Sequence, residues 1–259
     1  MCRWITYKGK PIFLEDWIFN SEHSLIEQSK AASKSILEVN GDGFGVGWYG
    51  TRTEPGLFRS IRPAWNNVNL QSLAGHVISP LFLAHVRAAT GTPIQETNSH
   101  PFQYKNWQMV HNGLIHNYGV LKKELLNLID EQYFNYILGS TDSEILFYIL
   151  LTNGMQQDIH GAVTKTVQQL EEMAANHGYK YALRMTLGIS DGNSVWAVRY
   201  SSNQSSPSLF YSLEEQEGEQ EQLLVVSEPL EHDTLRWIPV GERTILRFDE
   251  DYRLSVCSF

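Results

Sequence analysis

The sequence predicts a layered α+β domain built on largely antiparallel sheets. Two observations carry that reading. β-like runs lie early and late in the chain, and the strongest helical patterns fall between them. In the late group, Asp191-Gly192-Asn193 separates ALRMTLGIS from SVWAVRY, a hairpin signal that joins antiparallel neighbours. Alternating strand–helix units, which would make a parallel sheet, do not fit this order.

Taken in order, residues 43–49 (GFGVGWY) read as a glycine-rich strand, where missing side chains let something pack close. LFLAHVR (81–87) and WQMVHNGLI (107–115) are two further strands, parted by the turn-rich TGTPIQETNSHPF. Three helices follow. VLKKELLNLID (120–130) sets Leu121, Leu125, Leu128 and Ile129 on one face. DSEILFYILLTNG (142–154) begins on an acidic, cap-like residue, is apolar on most sides and ends at Gly154, the pattern of a buried helix. DIHGAVTKTVQQLEEMAANHG (158–178) aligns Val163, Val167, Leu170 and Ala174 and stops at Gly178. After the hairpin come SLFYSL, LLVVSEP, LRWIPVG and RTILRF as strands, with the polar EEQEGEQEQ (214–222) as a solvated loop.

The composition narrows the function classes. The chain has 259 residues, 20 Lys and Arg against 29 Asp and Glu, and a net charge of −9. That balance opposes non-specific binding to nucleic acid or anionic membranes, because phosphate contacts need clustered cations. Hydrophobic residues make up 42%, which argues against long disorder. No apolar run approaches the roughly 18 residues of a membrane span. The start, MCRWITYKGK, lacks the apolar core of a signal peptide, so the cytoplasm is the expected compartment. Two cysteines, Cys2 and Cys257, make no disulfide framework. No internal repeat of solenoid length is present.

Two motifs are decoys. GVGWYG (45–50) fits the dinucleotide pattern G-x-G-x-x-G, but TRTEPG follows it where a helix is required. GISDG (188–192) fits the nucleophile elbow of serine hydrolases, but a strand follows Ser190, so a hairpin turn is the better reading. Five histidines (His76, His85, His100, His111, His116) crowd positions 76–116 without metal-ligand spacing, so hydrogen-bonding roles are expected and no metal.

Cys2 is the most informative residue. Removal of Met1, usual before a small side chain, would place its thiol and a free α-amine on one residue. An α-amine of pKa about 7.7–8.0 can relay the proton of a thiol of pKa about 8.5, giving a nucleophile with an internal base. A Met-Cys start alone is weak, but ordered motifs follow: MCR (1–3), GDGFGVGWY (41–49), HVRAAT (85–90), NSHPF (98–102), HNGLI (111–115), TDSEIL (141–146) and SEPL (227–230). With these the chain resembles a class-II glutamine amidotransferase, an N-terminal-nucleophile hydrolase, of the short type that carries the glutaminase domain alone.

The resemblance implies an αββα four-layer sandwich of two mainly antiparallel sheets between helical layers, as one domain over residues 2–259. It implies no cofactor. It implies Cys2 as nucleophile, with the Asn112 side-chain amide and the Gly113 N–H as oxyanion hole. It places the substrate carboxylate on Arg87 with help from Thr90, and the substrate ammonium on Asp142. Asn98 and His100 would support the pocket wall, and Arg3 would hold the terminus. These residue types suit glutamine, whose recognition needs a cation, an anion and donors for a developing oxyanion. Where some synthase-linked relatives carry histidine after the HxRxxT threonine, this chain has Gly91. No acceptor-modifying portion follows within the 259 residues, so two readings stand. One is an amidohydrolase acting on glutamine or another γ-glutamyl compound; the other is a weakly active, ammonia-supplying subunit of a separate synthetase. An N-terminal-cysteine acylase of other amides is disfavoured, since an apolar acyl pocket has no use for both Arg87 and Asp142. The oligomeric state is not legible.

Overall fold

The computed structural model describes residues 2–33, 39–89, 91–214, 222–231 and 236–259. Two antiparallel sheets stack face to face. The first contains β1 (Arg3–Phe13), β2 (Phe44–Tyr49), β3 (Gly56–Ser60), β4 (Ile78–Val86), β9 (Phe210–Glu214), β10 (Gln222–Val226) and β11 (Ile238–Pro239), in the order β11-β9-β10-β1-β4-β2-β3. The second contains β5 (Phe102–Tyr104), β6 (Trp107–Ile115), β7 (Leu183–Ser190), β8 (Val195–Ser201), β12 (Thr244–Phe248) and β13 (Leu254–Ser258), in the order β13-β12-β8-β7-β6-β5.

Helices cover both outer faces. α1 (Glu15–Ile18), α2 (Leu25–Lys30) and α3 (Val68–Ala74) lie on the first sheet; α4 (Tyr118–Asn127), α5 (Asp142–Thr152) and α6 (Ile159–Asn176) lie on the second. The predicted αββα sandwich is the observed one. Strand alternation builds the layers, because successive side chains face opposite sides of a sheet. In β1, Ile5 and Tyr7 face the helices with Phe82 and Leu224, whereas Trp4 faces the sandwich centre with Leu83, Val110, Val225 and Phe248.

The glycines of β2 do what their side-chain deficit suggests. A Cβ on Gly45 would run into the His100 carbonyl, and one on Gly47 into the Gln108 side chain. β2 therefore packs closely against the backbone just before β5 and against Gln108 of β6 in the other sheet. α5 is buried all round, from Ser143 to Leu151, and Gly154 takes a positive φ of 91° just past its end. α6 buries Val163, Val167, Leu170 and Ala174, and Gly178 ends it with φ 72°. Residues 45–50 run from a strand into a turn and β3, and Ser190 closes the β7–β8 hairpin, its hydroxyl donating to the Ser194 carbonyl at 2.8 Å. Neither decoy has the helix its chemistry requires. Of the polar stretch 214–222, residues 215–221 lie outside the described residues; its ends belong to β9 and β10.

Candidate active site

Cys2 stands immediately before β1, half-buried and not in a disulfide. Its thiol points to the Ala88 carbonyl at 3.7 Å, just past the end of β4. Burial pushes the thiol pKa up, while the Ala88 backbone and the Arg87 and Arg3 guanidiniums act in the opposite direction. β1 is held beside β4 by an antiparallel register that opposes Arg3 to Val86 and Trp4 to His85.

Arg87 follows β4 and is almost fully buried. Its Nη2 donates to Thr92 Oγ1 at 2.7 Å and to the Pro93 carbonyl at 3.2 Å, and Nη1 reaches the Asp42 carbonyl at 3.4 Å. Burial lowers its pKa, and Cys2 and Asp42 oppose that shift. Asp42 also accepts the Ala89 N–H at 2.8 Å, so a carboxylate from the segment before β2 shapes the turn after Arg87. Thr90, in the same HVRAAT run, lies outside the described residues.

Asn112 and Gly113 lie near the end of β6. The Asn112 carbonyl accepts from the Thr186 hydroxyl at 3.4 Å, and that hydroxyl in turn accepts the Trp4 indole N–H at 3.2 Å. This chain ties β6 of one sheet to the residue two places beyond Cys2 in the other. Asn112 is buried, and its side-chain Nδ2 has no hydrogen-bond partner among the described residues. An unmade bond on a buried amide costs about 1–3 kcal/mol, so such a donor is a functional signal. Gly113 has φ 157°, and a Cβ there would collide with the Arg184 carbonyl and come within 2.6 Å of His111 Nε2.

Asp142 opens α5, but the cap itself is Thr141, whose hydroxyl accepts the Glu144 N–H at 3.1 Å. That leaves the Asp142 carboxylate free to turn toward β6. Its Oδ2 accepts the Ile115 N–H at 2.9 Å and Oδ1 the Ser143 N–H at 2.8 Å. Asn98 bridges two loops, donating to the Pro93 carbonyl at 2.9 Å and accepting the Ser140 N–H at 2.8 Å. Since Pro93 also receives Arg87, Asn98 supports the wall on which the guanidinium rests.

His100, two residues beyond Asn98, sets its Nδ1 2.7 Å from His85 Nε2. His111 Nδ1 is 2.8 Å from the hydroxyl of Ser143, the neighbour of Asp142. All three rings are buried. Burial lowers the pKa of His85 to about 3, with Arg87 adding to the shift. Burial also drives His100 well down, with His85 and His111 adding, and lowers His111 against the opposing charge of Asp142. They are neutral hydrogen-bonding groups at neutral pH. Among the described residues no three His, Cys, Asp or Glu side chains are grouped as metal ligands.

Residues 26–211 match the pattern of the glutamine amidotransferases class-II family. The chain belongs to the class-II glutamine amidotransferases. It is 35% identical to a probable glutamine amidotransferase, DUG3, of Saccharomyces cerevisiae, over 95% of this chain and 81% of the yeast protein. It is 31% identical to a gamma-glutamyl-hercynylcysteine sulfoxide hydrolase of Mycolicibacterium smegmatis, over 67% of this chain and 72% of the other. The solved glutamine aminotransferase class-II domain protein of Silicibacter pomeroyi superposes with a TM-score of 0.75 at 32% identity, covering 100% of this chain and 99% of its own.

In this amidotransferase, sequence reasoning passed over Asp42 and Ser143. Both belong to the GDGFG and TDSEIL motifs, yet only the fold shows Asp42 under the Arg87 turn and Ser143 against His111. No helix among the described residues is long and apolar enough to cross a membrane.

Proposed function

We propose that the protein is an amidohydrolase that cleaves the γ-amide of glutamine or of another γ-glutamyl compound through a thioester on Cys2. Met1 is removed, and the α-amine of Cys2 takes the thiol proton as the sulfur attacks the γ-carbonyl. Asn112 Nδ2 and the Gly113 N–H receive the negative charge that develops on the carbonyl oxygen. The C–N bond breaks, the α-amine returns the proton to the departing nitrogen, and ammonia or an amine leaves. Water, deprotonated by the same amine, then attacks the thioester and releases glutamate. Arg87, with Thr90, holds the substrate carboxylate and Asp142 its ammonium. Asn98 and His100 keep the wall behind Arg87 in place.

The observation that carries this reading is the buried Asn112 Nδ2, without a partner among the described residues, on a strand hydrogen-bonded through Thr186 to the residue two places beyond Cys2. Membership of the class-II amidotransferases supports it, and the hydrolase name of the Mycolicibacterium relative supports a γ-glutamyl substrate. Glutamate release from glutamine and from a panel of γ-glutamyl amides and peptides tests it, with Cys2→Ala as control and the N-terminus verified by mass. Release that persists in Cys2→Ala would sink it.

A second reading is favoured by Ile94 and Leu138, apolar side chains 53% and 64% exposed. They adjoin Pro93, which binds Arg87, and the Gly139-Ser140 turn held by Asn98. Such a rim suits a protein partner, as in an ammonia-supplying subunit docked on a separate synthetase. In that case the wild-type rate on the panel is near zero alone and rises on addition of the partner.

A further inference from the structure

The ladder of β1 starts at Arg3, so Cys2 lies outside it, where chain ends ordinarily fray. Arg3 compensates. Its Nη1 donates to the carbonyl of Cys2 at 2.8 Å, and its Nε donates to Glu228 Oε1 at 2.5 Å. Both side chains of the Arg3–Glu228 pair are fully buried. The second oxygen of Glu228 accepts the Ser33 N–H at 3.0 Å and the Ser33 hydroxyl at 2.7 Å, and it faces His23 Nε2 at 3.3 Å. The preceding residue, Ser227, exchanges hydrogen bonds with Trp4: its hydroxyl accepts the Trp4 N–H and its own N–H donates to the Trp4 carbonyl, each at 3.0 Å. A carboxylate 225 residues away in sequence thus lies against the start of the chain.

Stability alone is a poor reason for such an arrangement. A buried ion pair costs so much desolvation that neutral residues of similar size often replace it without loss. What neutral residues cannot do is hold the planar guanidinium fork, which here grips a carboxylate on one side and the Cys2 carbonyl on the other. Fixing that carbonyl fixes the plane of the Cys2–Arg3 peptide, and with it the position of the Cys2 Cα and the axis about which the thiol and the α-amine turn.

We propose that Glu228 is a positioning residue that orients Cys2 through Arg3. The inference rests on Cys2 being the nucleophile. Glu228 touches neither substrate nor reacting atoms.

The test uses the paired variant Arg3→Met/Glu228→Gln, which removes both charges together and leaves neither buried alone, and Glu228→Asp, which keeps the pair but shortens one arm. With glutamine, or the panel's preferred substrate, the paired variant is expected to keep a Tm near wild type and a KM within about threefold, while kcat falls at least tenfold. Glu228→Asp shows the same split to a smaller degree. In Glu228→Asp, which keeps both charges, iodoacetamide, which needs a thiolate but no particular orientation, alkylates Cys2 at a near wild-type rate, whereas a γ-glutamyl diazoketone, which needs the oriented one, reacts several-fold more slowly. A folded paired variant with kcat within twofold of wild type overturns the proposal, as does a rise in KM at unchanged kcat. If the paired variant does not fold, Glu228→Asp decides: unchanged kcat overturns the positioning role. Activity surviving in Cys2→Ala is a different failure, that of the nucleophile assignment itself.

Discussion

Asp142, the first residue of α5, accepts a 2.9 Å hydrogen bond from the backbone N–H of Ile115, the last residue of β6. The contact locks the carboxylate to the strand that carries Asn112 and Gly113. A group assigned to the substrate ammonium and the groups assigned to the oxyanion therefore belong to one rigid unit, and rigid placement is what makes electrostatic stabilisation effective.

Replacing Cys2 by alanine removes a half-buried sulfur that makes a weak hydrogen bond to the Ala88 carbonyl. The variant is expected to fold with unchanged Tm and to release glutamate at background rate. Protein that retains Met1, sorted by intact mass, should be equally silent, because its amine is one residue too far to serve the thiol. Activity in either sample would remove the N-terminal mechanism.

Asn112→Ala deletes a donor that has no hydrogen-bond partner among the described residues. Loss of one oxyanion donor costs about 100- to 1,000-fold in kcat, and KM is expected to stay within a few-fold. Steady-state kinetics on the preferred substrate check this. A KM effect with kcat intact would assign Asn112 to ground-state binding.

Gly113→Ala places a methyl group against the Arg184 carbonyl and His111 Nε2. Overpacking of this kind costs about 1–3 kcal/mol, and each kcal/mol lowers Tm by roughly 2–4 °C in a chain of this size. Calorimetry should find a Tm several degrees lower together with lost turnover. An unchanged Tm would show that β6 and β7 can part at this point.

Arg87→Lys keeps the charge but loses the planar fork that spans Thr92 and Pro93. Asp142→Asn keeps the shape but loses the charge. Each is expected to raise KM for glutamine about tenfold or more with a smaller change in kcat. Asp142→Asn should also reduce the preference for glutamine over glutaramide-like amides that lack the α-ammonium. Equal KM values across wild type and both variants would refute the binding roles.

The buried histidines predict acid sensitivity. His85 is held at about 3 against an ordinary 6.5, so the folded protein refuses a proton that the unfolded chain accepts. Its contribution is fully present above pH 6.5 and is lost as pH falls from 6.5 toward 3, so stability rises with pH across that window. Tm should already decline between pH 6.5 and 5. His85→Gln, which cannot take up that proton, is expected to flatten the slope; an equal slope would place the sensitivity elsewhere.

Much of this was readable in the linear chain. The buried α5, the amphipathic α6 and the Asp191-Gly192 hairpin follow from local pattern, because burial imposes period 3.6 on a helix and tight turns demand particular residues. The glycines of β2 likewise announced a close approach, though not that His100 and Gln108 make it. β1 itself was passed over as a strand although Ile5, Thr6, Tyr7 and Lys8 alternate; only the fold shows that both its faces are buried, Ile5 and Tyr7 under helices and Trp4 between sheets. The cap of α5 was legible only to within one residue, since Thr141 and Asp142 are both good caps and the partner on β6 decides which one is spared.

By itself the sequence determined the chemical inventory: a cysteine at position 2, an arginine after a strand, an Asn-Gly pair, an acid at a helix start, and the family to which their order belongs. Tertiary structure alone decided which groups meet. Arg3 and Glu228, Asp42 and Ala89, Asp142 and Ile115 are brought together by sheet register and layer stacking. Pairing of that kind depends on the burial of whole faces, a property of the assembled sandwich that no local stretch of chain encodes.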